Sequence, residues 1–590
     1  MPSTSVRSPR AEAHSSSGSL ITTRCPRTWP RRSSKSSRKS TRRPARRTSI
    51  PNVTAPSAYD VVVIGGGVTG AGIARDLALR GLSVLLLEKG DWGAGTSGAS
   101  SWMIHGGPRY LEYDWDTTRR SCIDAGHIVT IARNLVYRVV FIIPVLPHDR
   151  NNIERMETAM EVYDRFQPLK KAHPHRRLTA AEARQAEPGL SPDVIAAVTM
   201  EEWGVDPHRL VYANVQDAMA HGARALNHTR VTDLIRDGGK VIGVRYRGPD
   251  GATSEARARV VVNATGPWSP EIGTMAGVKV DLRPAKGIHI VYPHRISNFS
   301  ISAESIDGRD LLMVAHAGFT LLGTTDDDFY GDLDSVDVQE DEVEYLLQGF
   351  ERVFPAIRDY RPVRTTTGVR PTLFKWRRYE DELSRRYEVI DHSASGAEGF
   401  ITIAGGKLSM YRLMAEETSD AVCRKLGHEA PCTTATRPLP GNESDPEPAS
   451  DLASRCGIPA LAVVRLQGRH GSNAEKVLDE ANTARILCRC EPVTESELVY
   501  AARHEQVGTL ADAFRRVGVA AGPCAGAACI LRAAEVVGRE LGWSATQRFD
   551  AAREFVRGAW LGRAPVLPHA GWAQEELAQG AMRGLMRNES

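Results

Sequence analysis

Apolar positions fall into two rhythms along this chain. Tyr59–Ile64 (YDVVVI) and Leu82–Leu87 (LSVLLL) are short, β-branched or leucine-rich runs of the kind that form buried parallel strands. Between them Ala71–Arg80 reads as a helix, with Gly81 where a stop belongs. Helical patterns also cover Asp116–Asn134, Asp206–Leu226, Glu495–His504 and Thr509–Val517, and another opens near Gly405 and reaches about Leu426. Strand-like runs cover Thr229–Ile235, Lys240–Tyr246, Val260–Val262 and Lys286–Val291.

The first strand runs into Gly65-Gly66-Gly67-Val68-Thr69-Gly70, which fits G-x-G-x-x-G, and the second ends in Glu88, 18 residues past Gly70. Gly65 makes the tight turn, Gly67 lets a pyrophosphate lie against the backbone, and Gly70 lets the helix pack on the sheet. The free N–H groups at Val68 and Thr69 open the helix toward the phosphates, and Glu88 can accept hydrogen bonds from a ribose. Strand, turn, helix, strand and acid in register predict an α/β dinucleotide-binding domain of Rossmann type. The next run, Thr96 to Leu111 (TSGASSWMIHGGPRYL), sets the hydroxyls of Thr96, Ser97, Ser100 and Ser101 close to the phosphate site. That suits a long dinucleotide whose second half continues along the protein.

Composition changes the picture at the two ends. Residues 1–50 hold thirteen Lys or Arg and one acid, Glu12, so the remainder of the 590-residue chain is net acidic. Residues 1–57 are rich in Ser, Arg and Pro and cannot bury enough apolar surface to fold, so they are expected to be a disordered extension. They lack interleaved aromatics, and no nucleic-acid partner is expected. No run reaches the roughly 18 apolar residues of a membrane span, so any membrane association is expected to be peripheral. Four of nine cysteines cluster late, as Cys488-x-Cys490 and Cys524-x4-Cys529, which argues for a metal centre in a reducing compartment. Four thiolates suit a [2Fe–2S] cluster or a zinc ion.

The hydroxyl run followed by Ile104-His105-Gly106-Gly107-Pro108-Arg109-Tyr110-Leu111-Glu112 resembles the FAD-dependent glycerol-3-phosphate dehydrogenases. Trp102 stands where the aerobic type carries a lysine. Val260–Trp268, with Thr265 and Gly266 at its turn, resembles the strand that returns to the flavin in this superfamily. Lys286–Val291, containing His289, and Leu321–Asp326 resemble two further family segments, and residues 280–380 are expected to form an antiparallel substrate domain. Gly405-Gly406-Lys407-Leu408, at a helix N-terminus, would receive the flavin's electron-rich end. The resemblance implies a fold like that of D-amino acid oxidase, with Gly106 also near the flavin.

Arg109, Arg370, Arg385 and Lys407 fall on the family's matching positions. A phosphate monoester needs fixed cationic forks, and arginine supplies them. The implied reaction is oxidation of sn-glycerol 3-phosphate to dihydroxyacetone phosphate by hydride transfer to FAD. His105 or His289 would be the base, and Arg109 and Tyr110 would hold the substrate. A related flavoenzyme acting on a 2-hydroxy acid or an amine is the alternative, and it would need a carboxylate clamp.

Pro438–Ser450 reads as linker, within a linker region set at 436–484. The flavin and substrate domains are placed at 58–435, a small helical module at 485–545 and a helical segment at 546–590. The tight C-x-C, two helices and a glycine-framed C-x4-C resemble the bacterioferritin-associated ferredoxin (BFD-like) [2Fe–2S] module, with Cys488, Cys490, Cys524 and Cys529 as ligands. With that module, and with the segments GFITIAGGKLSMYRLMAEETSDAVCRKLG and APCTTATRPLPG, the chain most resembles the catalytic A-subunit of the anaerobic type. This implies a second flavin subunit, an iron–sulfur subunit that anchors to the membrane, and a menaquinone or ubiquinone pool as partners. It also implies a cytoplasmic location at the inner face of the cell membrane.

Overall fold

The structure, a computed structural model, describes residues 58–374 and 385–585, apart from positions 113, 148, 306, 482, 484 and 568. The extension expected over residues 1–57 lies outside the described residues, as do the last five positions of the chain.

Strand β1 (Tyr59–Ile64), helix α1 (Val68–Leu79) and strand β2 (Val84–Leu87) form as the pattern predicts. β1 lies at the middle of a parallel sheet, between β2 and the strand Thr253–Asn263. Arg224–Leu226 extends the sheet on one side and Phe400–Gly405 on the other, where the antiparallel Tyr387–Asp391 closes the edge. Both faces of β1 are buried, so it shows no polar alternation. Val61 and Val63 pack toward α1 and the helices Pro207–Ala220 and Tyr411–Leu426. Val62 and Ile64 pack toward the antiparallel strands Arg230–Asp237 and Lys240–Arg247. Each such side chain contributes roughly 1.5–3 kcal/mol by its burial.

The second sheet has ten strands and is almost wholly antiparallel. Leu282–Tyr292 and Arg364–Leu373 pair along their length, from Leu282 opposite Leu373 to Val291 opposite Arg364. The sheet extends beyond the substrate domain expected over 280–380. Val136–Val145 and Ala196–Val205 pair over ten positions, and the first joins Ser300–Glu304 in the same sheet.

The C-terminal part departs from expectation over residues 449–479. The linker expected there is instead three helices, Ala449–Cys456, Ala460–His470 and Ala474–Asp479. Leu452, Val463, Leu466 and Val477 make their core. The Pro/Glu/Ser-rich signal stops at 450, and the apolar spacing beyond it is helical. A hairpin (Ile486–Cys488 with Val493–Thr494) and the helices Glu495–His504, Leu510–Val517, Ile530–Leu541 and Ala545–Arg563 complete the module around a separate core.

A buried polar seam joins this module to the flavin-type domain. Arg516 pairs with Asp91 at 2.7 Å, both fully buried, and Arg209 pairs with Glu505 at 2.8 Å. Trp92 donates its indole N–H to Gln506 at 2.9 Å. No helix among the described residues is long and apolar enough to cross a membrane.

Candidate functional site

One cavity of about 1450 Å³ collects most of the residues singled out in the sequence. Gly65, Gly67, Val68, Thr69, Glu88, Thr96, Ser97, Ser100, Ser101, Thr265 and Gly266 line it, as do Gly405, Gly406 and Leu408. His105, Arg109, Tyr110, His289, Arg370, Arg385 and Lys407 line it too. Gly70 and Gly106 do not, because their missing side chains face protein. A Cβ on Gly70 would stand 1.9 Å from the Gly65 carbonyl oxygen. One on Gly106 would stand 2.3 Å from the Tyr163 hydroxyl and 2.4 Å from Cys122 Sγ. At Gly106 the missing side chain lets the 105–107 turn sit on the protein behind it.

The glycine turn has the form a dinucleotide needs. Gly65 has φ +107°, and a Cβ there would meet the Ala264 carbonyl oxygen at 2.6 Å. At Gly67 a Cβ would meet only Ser97 Oγ, at 3.2 Å, which leaves the open cradle expected for phosphate. Ser97 Oγ accepts from the Val68 N–H at 2.9 Å and so tethers the hydroxyl run to the start of α1. Glu88 accepts from the Gly66 and Gly90 N–H groups at 2.6 and 2.7 Å. A carboxylate has about four lone-pair sites, so Glu88 keeps acceptor capacity toward the cavity. Burial pushes its pKa up, with those two N–H groups opposing.

The other end of the cavity is cationic. Arg370 donates to Asp326 at 3.0 Å, to Thr324 Oγ1 at 2.8 Å and to the Thr325 carbonyl at 3.0 Å. Arg385 donates to Thr372 Oγ1 at 2.8 Å and reaches the second oxygen of Asp326 at 3.4 Å. Burial disfavours the Asp326 carboxylate, yet Arg370, Arg385 and Arg109 hold it below its ordinary range. Lys407 donates to the carbonyls of His105 and Gly106 at 3.2 and 3.0 Å. It also lies over the Tyr110 ring, 4.8 Å from its centre. Burial alone would raise the Tyr110 phenol, but Arg109, Lys407 and Arg385 outweigh it and draw the pKa down to about 8.

Both histidines are held neutral at pH 7. Burial, then the charges of Lys407 and Arg109, draw His105 well below its ordinary value. Burial and Arg370 draw His289 down to about 3. His289 shares a 2.8 Å hydrogen bond with Ser101 through Nε2, and its buried Nδ1 has no partner among the described residues.

Asp326 closes the Leu321–Asp326 segment, yet nothing in the sequence marks it as the acid that orients two arginines. The buried Lys170–Glu202 pair, at 2.6 Å, backs the 105–107 turn and was equally hidden. No local signal reveals that pair, because its members sit on separate elements and meet only in the fold.

The four late cysteines run from the module's core to its surface: Cys488 and Cys529 are buried, Cys524 is partly exposed and Cys490 is exposed. Cys490 and Cys524 Sγ are 3.7 Å apart, and the buried Cys529 lies beside the buried Cys488. Among the described residues no three of these sulfurs fall within 4.8 Å of one another. A tetrahedral zinc site would bring all four that close. The hydrogen bond from Cys529 and backbone N–H groups of Ala520, Glu491 and Cys490 outweigh burial and bring Cys488 down to about 6. A second group, Asp91, His228 and Asp512, is close enough for a cation but already faces Arg515 and Arg516.

Residues 60–412 match the family described as FAD dependent oxidoreductase. Residues 432–548 match the C-terminal domain of alpha-glycerophosphate oxidase. The chain is 36% identical over 537 residues to the A-subunit of the anaerobic glycerol-3-phosphate dehydrogenase of Escherichia coli, covering 89% of this chain and 96% of that one. The A1-subunit of the anaerobic glycerol-3-phosphate dehydrogenase of Haloferax volcanii is 35% identical, with 81% and 83% covered. The crystal structure of the glycerol-3-phosphate dehydrogenase from Bacillus halodurans with FAD superposes with a TM-score of 0.68 at 25% identity, covering 87% and 96%. With the glycine turn, the acid at Glu88 and the cationic cavity wall in place, these likenesses make the chain a member of the FAD-dependent oxidoreductases, within the glycerol-3-phosphate dehydrogenase family.

Proposed function

We propose that this protein oxidises sn-glycerol 3-phosphate to dihydroxyacetone phosphate with bound FAD. The observation that carries the reading is the pair of guanidinium groups, Arg370 and Arg385, held in fixed orientation by Asp326 beside Arg109 and Lys407. A phosphate dianion complements four such cations better than the single charge of a carboxylate, which disfavours a 2-hydroxy acid or amine substrate. Gly65, Gly67, Val68, Thr69 and Glu88 would hold the adenosine diphosphate part, and Ser100, Ser101 and Gly405–Leu408 the flavin end. When bound, the flavin supplies the acceptor for the two electrons leaving C2. The chain's own groups then orient the phosphate, exclude water and take the hydroxyl proton on a neutral imidazole. His105 and His289 are the two imidazoles on the cavity wall, and replacing each by Asn identifies the base as the one whose loss lowers kcat about 100-fold or more.

The test is a visible spectrum of the anaerobically purified protein. Glycerol 3-phosphate should bleach the oxidised-flavin band, while glycerol, lactate and glycine should not. Bleaching by lactate or glycine instead would overturn the reading.

Tyr110 gives the proposal a pH signature. Above pH 8 the free enzyme's phenol ionises and places a negative charge among the phosphate-binding cations, so kcat/KM should fall. In Tyr110→Phe this alkaline limb should move upward, and an unmoved limb would assign it to another group.

Cys488, Cys490, Cys524 and Cys529 would hold a [2Fe–2S] cluster, supported by their arrangement as two pairs and by the N–H groups aimed at sulfur. Such a cluster supplies one-electron steps toward partner subunits and a quinone pool, which fits a peripheral position at the inner membrane face. Iron and acid-labile sulfide should each be found at about two per chain. Stoichiometric zinc would replace this reading.

A further inference from the structure

The strand Arg364–Leu373 touches three places that matter. Arg370 stands in the cationic wall. In the middle, the Val369 carbonyl accepts from Thr96 at 2.6 Å, tying the strand to the hydroxyl run. At the far end, Thr365 Oγ1 donates to the Gly562 carbonyl at 2.8 Å and Arg364 donates to the Ala521 carbonyl at 3.1 Å. That carbonyl sits in the turn against the four thiols. Its neighbour Ala520, at φ +71°, directs its N–H at the sulfurs of Cys488 and Cys529. On the other side, Gly522 packs so close that a Cβ would stand 2.3 Å from Cys490 Cβ.

Arg364 is partly buried, lies over the Phe514 ring at 5.5 Å, and has no carboxylate partner among the described residues. Burial alone draws its guanidinium down to about 10. The buried arginines of this region differ: Arg209, Arg469 and Arg516 each face a carboxylate. A cation partly withdrawn from water and facing no carboxylate is incompletely compensated, so the position favours a negative group beside the turn it holds. A four-thiolate [2Fe–2S] cluster is such a group, with a net charge of about −2 oxidised and about −3 reduced.

We propose that Arg364, contributed by the substrate sheet, is the counter-charge of the cluster at Cys488, Cys490, Cys524 and Cys529 and raises its reduction potential. This rests on the cluster reading given above. A fixed positive charge favours the more negative, reduced state, so the cluster accepts electrons more readily. The electrons balance within the proposed reaction. Substrate oxidation would release two electrons to the flavin, and a cluster held by Cys488, Cys490, Cys524 and Cys529 would supply one-electron transfer from there to an acceptor. Arg364 is not among the residues lining the substrate cavity and acts as a tuning residue.

The experiment is a redox titration of the full chain, purified without oxygen, following the cluster's paramagnetic signal. Arg364→Gln keeps a donor for the Ala521 carbonyl and removes the charge, whereas Arg364→Lys keeps the charge. The Gln variant should show at least a tenfold lower equilibrium constant for cluster reduction, which is about 59 mV for one electron. The Lys variant should stay within threefold of the parent. Loss of the cluster from the Gln variant but not the Lys variant would also assign the charge. Equal potentials in parent and Gln variant, or cluster loss from both variants, would overturn this inference and leave the cluster reading standing. A parent protein free of iron and sulfide would overturn both.

Discussion

Arg370→Met should lower kcat/KM for glycerol 3-phosphate by about 100- to 1000-fold while leaving flavin content unchanged. The Arg370–Asp326 pair is partly exposed and would be covered by bound phosphate; truncating one member of a charge pair desolvated in that way costs about 2–5 kcal/mol, and each 1.4 kcal/mol is tenfold. Two effects add here. The substrate loses a forked donor, and Asp326, now opposed by Arg385 without Arg370, turns from a positioning group into one that repels phosphate. Arg370→Lys should recover little, since an ammonium cannot reproduce the bonds to Asp326, Thr324 and the Thr325 carbonyl at once. The second effect can be isolated. Asp326→Asn in the Arg370→Met background should restore part of the loss, so the two changes will not add. Steady-state kinetics of the four proteins decides it, and a single Arg370→Met variant within tenfold of the parent would remove Arg370 from the phosphate site.

Two glycines of the phosphate turn, Gly67 and Gly70, should lose flavin for different reasons when replaced by Ala. Gly70→Ala places a methyl carbon 1.9 Å from the backbone oxygen of Gly65, an atom that cannot move without separating α1 from β1. Overpacking of this kind costs about 1–3 kcal/mol or more, and the variant should be purified without flavin and melt at a lower temperature. Gly67→Ala meets only the Ser97 hydroxyl, and its φ of −73° suits any residue. That protein should melt within a few degrees of the parent but bind FAD about 100-fold more weakly, because the methyl occupies the pyrophosphate seat. Flavin retained on gel filtration and a circular dichroism melt separate the two. Parent-like affinity in Gly67→Ala would place the pyrophosphate elsewhere.

The glycine turn, Glu88 and the hydroxyl run were legible because their spacing is local and each residue's job constrains its neighbours. The cationic wall was legible only through resemblance, since Arg109, Arg370, Arg385 and Lys407 come from well-separated places in the chain. What stayed hidden is non-local. Val136–Val145 finds its partner only at Ala196–Val205, and no local pattern states that pairing. Asp326 looks like any loop acid until two arginines arrive from another strand and the segment beyond it. The helices at 449–479 were obscured by the Pro- and Glu-rich stretch before them, although Leu452, Val463 and Leu466 carry the spacing.

The seam beneath the C-terminal module has a consequence for how the chain assembles. Its pairs, Arg516 with Asp91 and Arg209 with Glu505, lie where water does not reach. Buried ion pairs add little over well-packed apolar groups, but a partner left alone costs about 3–5 kcal/mol. A module docked one helical turn out of place would leave both arginines facing no acid. The seam thus separates right from wrong arrangements more than it strengthens the right one. It acts as the wards of a lock, so the module carrying the cysteines settles in a single orientation.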